Sequence, residues 1–158
     1  MTRQTVTTWV LWALVIGYCL FLGGHLFEIV ALVPNWRSGS PIEVGRYRDF
    51  LAHSGPGAYF QLILLPTLIA AIASVGLTWS KRRLRILSLV PTVVILAYGI
   101  WTTLYFVPIN GYVGQPTYEP GTLKLMVDGW VFWETPRAGL VALGLVSAIV
   151  LLERSRRT

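Results

Sequence analysis

Four long apolar stretches constrain the fold of this chain more than any other feature. They cover residues 9–33, 56–79, 86–107 and 130–152. Each is long enough to cross a hydrocarbon layer of ~30 Å as a helix, which takes roughly 20 residues. Backbone polar groups in lipid must be paired within helices or closed barrels, and the sequence has no succession of alternating ten-residue strands. We therefore predict an all-α, integral membrane four-helix bundle, with residues 1–158 forming a single transmembrane domain.

The composition supports a membrane protein. Of the 158 residues, 54% are hydrophobic and only 13% are charged, whereas about 25% of the residues in a typical soluble domain are charged. The single cysteine, Cys19, cannot form a disulfide within the chain. The sequence therefore excludes an ordinary soluble enzyme and a disulfide-stabilised secreted domain.

The basic residues predict how the bundle is oriented. Arg3 precedes the first span, the run KRRLR at residues 81–85 joins the second and third spans, and three more arginines lie within residues 153–157. An even number of spans brings all of these charges to the same side. The positive-inside rule then places the N and C termini in the cytoplasm of a multi-pass cell-membrane protein. Because anionic lipid headgroups account for the net charge of +6, we expect membrane lipid as a partner and no nucleic acid.

Two connections on the other side are long for so small a bundle. Residues 34–55 and 108–129 are rich in glycine and proline. Loops of this length often act as lids or partner surfaces. The sequence equally allows them to be ordinary connectors.

Ionisable residues inside the apolar stretches are the first candidates for a site. An ionisable side chain at the centre of a membrane helix costs about 2.5 kcal/mol or more, so those that occur usually pair, bind a ligand or meet water. His25 and Glu28 lie three residues apart near the end of the first span, and Glu134 and Arg137 lie three apart near the start of the fourth. Each pair shares one helix face. We predict that these four residues form a catalytic group in an outward-opening pocket, although an ion pair of Arg137 with either glutamate could serve only to set helix register.

Aromatic and amide side chains are predicted to line the same pocket and bind a substrate. They lie on matching helix faces or near the same end of the spans, and aromatic rings can stack on a planar ligand. The alternative is that many of them are interfacial anchors, which are common in membrane helices. The candidate substrate-binding residues are Tyr18, Tyr98, Trp101, Tyr105, Asn110 and Trp130.

A metal ion is a separate hypothesis. His25, Glu28 and His53 supply two imidazoles and one carboxylate, the ligand types of a non-haem iron site, and Glu134 could add a fourth ligand. His53 could instead be an ordinary loop residue in the run AHSGPG. The sequence leaves open a single metal ion such as iron and a site without any cofactor.

Two short motifs resemble a known family. The segment FVPIN at residues 106–110 is followed about twenty residues later by W-x3-E-x2-R at residues 130–137. Together they resemble the anthrone-oxygenase-like family of small four-helix membrane proteins. Asn110, Trp130 and Arg137 occupy the motif positions, while Glu134 stands where the family has a neutral or basic residue.

The resemblance implies a membrane oxidoreductase of the oxygenase type. Better-known members convert anthrones, which are flat reduced aromatic compounds, into quinones with dioxygen and without an evident cofactor. A carboxylate or His25 could remove a proton from such a hydrophobic small molecule, and Arg137 could stabilise the resulting oxyanion. The alternative function is a non-catalytic accessory or assembly subunit of a larger membrane complex, which would require a membrane protein partner or a homo-oligomer.

Overall fold

The fold is known from a computed structural model that describes residues 2–157. Within this part of the chain the secondary structure is helical and contains no strand. The all-α prediction is therefore confirmed. The six α-helices are α1 (Arg3–Phe27), α2 (Pro41–Phe50), α3 (Pro56–Thr78), α4 (Arg82–Trp101), α5 (Val107–Val113) and α6 (Pro120–Arg156).

Four helical stretches are long and apolar enough to cross a membrane, as predicted. They cover Arg3–Asn35, Pro56–Thr78, Arg82–Val113 and Gly121–Arg156. In the bundle, α1 and α4 each pack against both α3 and α6. Each long helix therefore has two helical neighbours, and the four enclose one core.

The beginning of α1 and the end of α6 lie at one end of the bundle, which we call the terminal end. The Arg3 guanidinium donates a hydrogen bond to the Leu77 carbonyl at 3.1 Å, and the Gln4 side-chain amide donates to the Ser155 carbonyl at 3.1 Å. These bonds join the beginning of α1 to the ends of α3 and α6. The opposite end, which we call the distal end, carries α2 and α5.

The bundle core depends on a close approach between α1 and α6. Tyr18 is fully buried, and its hydroxyl donates to the carbonyl of Pro91 inside α4. Its ring lies where a Cβ atom on Gly144 would be. Glycine at position 144 thus makes room for the tyrosine that connects three helices.

We expect Gly144→Ala to lower the thermal stability of the protein in detergent micelles. The added methyl would overlap the Tyr18 ring, and overpacking of a core typically costs about 1–3 kcal/mol. Gly139→Ala in the same helix is the matched control, because a Cβ atom there meets nothing within 4 Å. Equal melting temperatures for the two variants would contradict this account of the packing.

Two π-helical segments widen the helices at the distal end. Residues Glu28–Leu32 continue α1, and Thr102–Phe106 continue α4. A Val-Pro pair follows each segment directly, at residues 33–34 and 107–108. Proline lacks an N–H donor and its ring crowds the carbonyl four residues earlier, and a wider turn relieves this crowding. Such π-bulges are frequent at functional sites.

The predicted connections at the distal end are more helical than expected. Residues 34–55 contain α2, the third span continues through α5 to Val113, and α6 begins at Pro120, ten residues before the predicted start. Predicting residues 108–129 as one long loop was therefore wrong. A second apolar cluster, which we call the cap cluster, explains why these segments fold. Its buried members are Val33, Trp36, Val44, Phe106, Ile109, Leu123, Val127 and Trp130.

Candidate functional site

A cavity of about 630 Å³ opens at the distal end of the bundle. This volume lies within the ~300–1,000 Å³ range that is usual for small-molecule sites. Part of its wall is apolar and comes from α3 and the cap cluster, including Phe60, Leu64 and Trp36. Its polar side chains include Glu28, Tyr98, Asn110 and Arg137. The cavity therefore combines an apolar, aromatic surface with a few polar and ionisable groups.

Glu134 is the centre of a buried charged group and is 1% exposed. One of its carboxylate oxygens accepts a hydrogen bond from Arg137, three residues along α6. The other lies 2.6 Å from Nδ1 of His25, which is fully buried on α1. Both oxygens of Glu134 are thus used to hold a guanidinium and an imidazole in place.

Glu28 is held differently from Glu134. Its Oε2 atom is buried and, among the described residues, has no hydrogen-bond partner. The same atom lies 3.6 Å from Nη2 of Arg137 and 3.7 Å from Nδ1 of His25. A buried polar atom without a partner is rare in native proteins. Glu28 also lines the cavity, so its side chain borders the space that a small molecule could occupy.

His25 connects this acidic pair to the cavity wall. Its Nδ1 faces a carboxylate oxygen, which can only accept, so Nδ1 carries a hydrogen. Its other ring nitrogen, Nε2, lies 3.2 Å from the Tyr98 hydroxyl. The Phe60 ring stacks on the imidazole with a centroid distance of 4.7 Å. These contacts hold the imidazole in a single orientation.

Arg137 lies between charged groups and aromatic rings. Its Cζ atom is 3.6 Å from the centroid of the Phe106 ring and 5.6 Å from that of Trp130. A desolvated cation over an aromatic face gains about 2 kcal/mol. The Trp130 indole in turn donates a hydrogen bond to the side-chain oxygen of Asn110 at 3.0 Å. Residues of the two sequence motifs, 106–110 and 130–137, are therefore in direct contact.

Tyr47 of α2 adds a neutral hydroxyl to the cavity wall. Burial, together with the negative charge of Glu28, raises the pKa of the Tyr47 phenol. The ring stacks on Trp36 with a centroid distance of 5.4 Å, and Trp36 makes an edge contact with Trp130 at 4.9 Å. Tyr47 of α2 and Trp36, which precedes α2, thus cover the site with aromatic side chains.

The predicted metal site is not assembled as expected. His53 is exposed in the connection between α2 and α3 and does not join the buried group. His25, Glu28 and Glu134 do have ligand-type atoms within 4.8 Å of one another. However, both nitrogens of His25 and both oxygens of Glu134 already have partners, and Arg137 contacts the carboxylates. A metal ion would have to break these contacts, so the arrangement fits a hydrogen-bonded network better than a coordination site.

The structure divides the predicted substrate-binding residues into two groups. Tyr98, Asn110 and Trp130 line the cavity. Tyr18 lies in the bundle core, and Trp101 and Tyr105 pack against Trp133 with centroid distances of 5.6 and 6.4 Å. None of these last three is among the described residues that line the cavity.

Sequence reasoning missed several aromatic residues of the site. Trp36 and Tyr47 lie within residues 34–55, which the sequence predicts as a loop, and Phe60 lies in a uniformly apolar stretch. Trp36 and Tyr47 lie outside the predicted spans. The available signal for a covering helix was Ser40 followed by Pro41, a pair typical of a helix start.

Comparison of the chain with protein-family models, with curated proteins and with solved structures gave no match.

Proposed function

We propose that this protein is a membrane-embedded oxidoreductase of the oxygenase type that acts on a hydrophobic, reduced aromatic small molecule of the anthrone class. The observation that carries the proposal is the placement of the Glu28 carboxylate beside the Arg137 guanidinium, with 3.6 Å between Oε2 and Nη2. Both residues line the same largely apolar cavity. A carboxylate beside a guanidinium is suited to removing a proton and stabilising the anion that forms.

The membrane orientation is part of the same proposal. The terminal end carries the basic run at residues 81–85 and the arginines near both termini, which favours a cytoplasmic location for that end. The cavity then opens on the extracytoplasmic side of the cell membrane. A lipid-soluble substrate can reach it from the bilayer.

The proposed reaction converts an activated methylene group into a carbonyl group, consuming one molecule of dioxygen and releasing one molecule of water. Glu28 removes one proton from the methylene carbon, which leaves an electron-rich enolate. Arg137 stabilises the enolate oxygen, and this interaction is strong where water is excluded. Dioxygen is the oxidant and accepts the electrons of the carbanion. One of its oxygen atoms becomes the carbonyl oxygen, and the other leaves as water. The aromatic side chains at the wall, such as Trp36 and Trp130, hold the planar ring system.

A direct assay tests this proposal. Purified protein in detergent micelles is mixed with a dihydroxyanthrone in air-saturated buffer, and quinone formation is followed by absorbance together with oxygen uptake. We expect one oxygen molecule consumed per quinone, at a rate proportional to the protein concentration. Micelles without protein control for spontaneous oxidation, and a nitrogen atmosphere should stop the reaction. A rate no greater than that of empty micelles would contradict the proposed function.

A further inference from the structure

Tyr98 lies between the cavity and the buried charged network. It lines the cavity, although the residue as a whole is only 2% exposed. Its hydroxyl oxygen lies 3.2 Å from Nε2 of His25. On the far side of that imidazole, Nδ1 contacts Glu134 at 2.6 Å. Three side chains from three different helices therefore form one hydrogen-bonded chain that ends at the cavity wall.

The network has room for one mobile proton. Two carboxyl groups, Glu28 and Glu134, contact one guanidinium and one imidazole, so a single proton held by His25 or by a carboxyl makes the group neutral overall. When His25 holds that proton, Nε2 donates to the Tyr98 oxygen. The Tyr98 O–H can then point into the cavity. A bound substrate can receive the tyrosine proton while His25 replaces it.

We propose that Tyr98 is the general acid of the proposed oxygenase reaction and that His25 and Glu134 are positioning residues that hold and replenish its proton. This inference rests on the proposed function and adds a second proton-transferring group to the same site. Glu28 would act on one side of the substrate, and the chain of Tyr98, His25 and Glu134 would act on another. Glu28 and this chain of side chains are in contact at His25, because Glu28 Oε2 lies 3.7 Å from Nδ1 of His25.

The proton balance of the reaction is compatible with such a second group. Glu28 takes the first methylene proton, and the carbanion adds dioxygen to form a C–O bond and a peroxide anion. Tyr98 protonates the peroxide, and His25 restores the tyrosine proton. The Tyr98 oxygen then takes the second C–H proton and passes its own proton back to His25. As this C–H bond breaks, the C=O bond forms and the O–O bond breaks. The hydroxide that leaves takes the proton held by Glu28 and becomes water, so every side chain returns to its starting state.

Tyr98→Phe tests the inference kinetically. We expect kcat for quinone formation to fall by about 10²–10⁴-fold, the usual contribution of a general acid, with little change in KM because the ring remains. Tyr59→Phe is the matched control, since it removes a hydroxyl that donates to the Leu20 carbonyl at 2.9 Å, outside the cavity. An active wild type with an equally active Tyr98→Phe variant would overturn the relay and leave the proposed function standing. An inactive wild type would overturn both.

A spectroscopic measurement tests the positioning roles. The chain contains two histidines, so ¹⁵N-histidine labelling gives a simple imidazole spectrum, and His53→Ala identifies the His25 signals. We expect a proton on Nδ1 of His25 and a change in the Nε2 shift in Tyr98→Phe but not in Tyr59→Phe. In Glu134→Gln the Nδ1 signal should move. An Nε2 chemical shift that is the same in the wild type and in Tyr98→Phe would overturn the inference. That result would mean that the Tyr98 hydroxyl is not hydrogen-bonded to this nitrogen.

Discussion

Replacing Glu28 with glutamine is expected to lower the rate of quinone formation by about 10²–10⁴-fold, the range typical for loss of a general base. Glutamine has nearly the same shape as glutamate but is not a base at neutral pH. The fold should survive, since Glu28 Oε2 has no hydrogen-bond partner among the described residues and the pair of Glu134 and Arg137 remains intact. The measurement is kcat in micelles, with thermal unfolding as the check on folding.

A matched carboxylate elsewhere provides the control for Glu28. Glu153 accepts a hydrogen bond from Arg157 at 2.5 Å at the terminal end of α6, far along the bundle from the cavity. Glu153→Gln makes the same chemical change and should leave kcat unaltered. If Glu28→Gln retained the activity of that control, another group would have to remove the substrate proton.

The largest expected effect on stability comes from Arg137→Leu. This change leaves two buried carboxylates, Glu28 and Glu134, without their guanidinium partner. Breaking a buried ion pair by removing one partner typically costs about 3–5 kcal/mol. We expect a correspondingly lower unfolding free energy in mixed micelles and loss of turnover.

A double variant separates lost pairing from lost packing. Glu134→Leu/Arg137→Leu should be more stable than Arg137→Leu alone, because replacing a whole buried pair by apolar groups is often nearly neutral. Lys124→Leu is the surface control on the same helix. Its exposed pair with Asp128 should contribute less than about 1 kcal/mol. A double variant no more stable than Arg137→Leu alone would mean that the unpaired Glu134 carboxylate is not the cause of the loss.

The spacing of charged residues predicted correctly which of them lie side by side. Residues three apart on a helix lie on the same face, so the sequence placed His25 beside Glu28 and Glu134 beside Arg137, and the structure has both pairs in contact with each other. The same reasoning misjudged Tyr18, which shares a stripe with His25 but fills the core against Gly144. Residues on one helix face form a row along the whole helix, whereas the cavity borders only part of the length of that helix.

The metal hypothesis shows another limit of reasoning from residue types. Two imidazoles and a carboxylate match a ligand set, but the sequence contains no information on which of their atoms already have partners. In the folded protein, Glu134 and Tyr98 occupy the two nitrogens of His25, and His53 is exposed. Contacts between distant helices therefore decide which of these side chains meet and which of their atoms already have partners.

The sequence alone determined the helical class, the number of spans and the two faces that carry charge, because chain length, hydropathy and helical periodicity are local properties set by the bilayer and the backbone. The tertiary structure decided the rest. The π-helical segments at Glu28–Leu32 and Thr102–Phe106 rotate the side chains that follow, and α2 covers the distal end. Both carboxylate oxygens of Glu134 have partners, whereas Glu28 Oε2 has no hydrogen-bond partner among the described residues. This difference depends on the rotation and packing of helices that are distant along the chain. His25 and Glu134, for example, are 109 residues apart in sequence and meet only in the folded bundle.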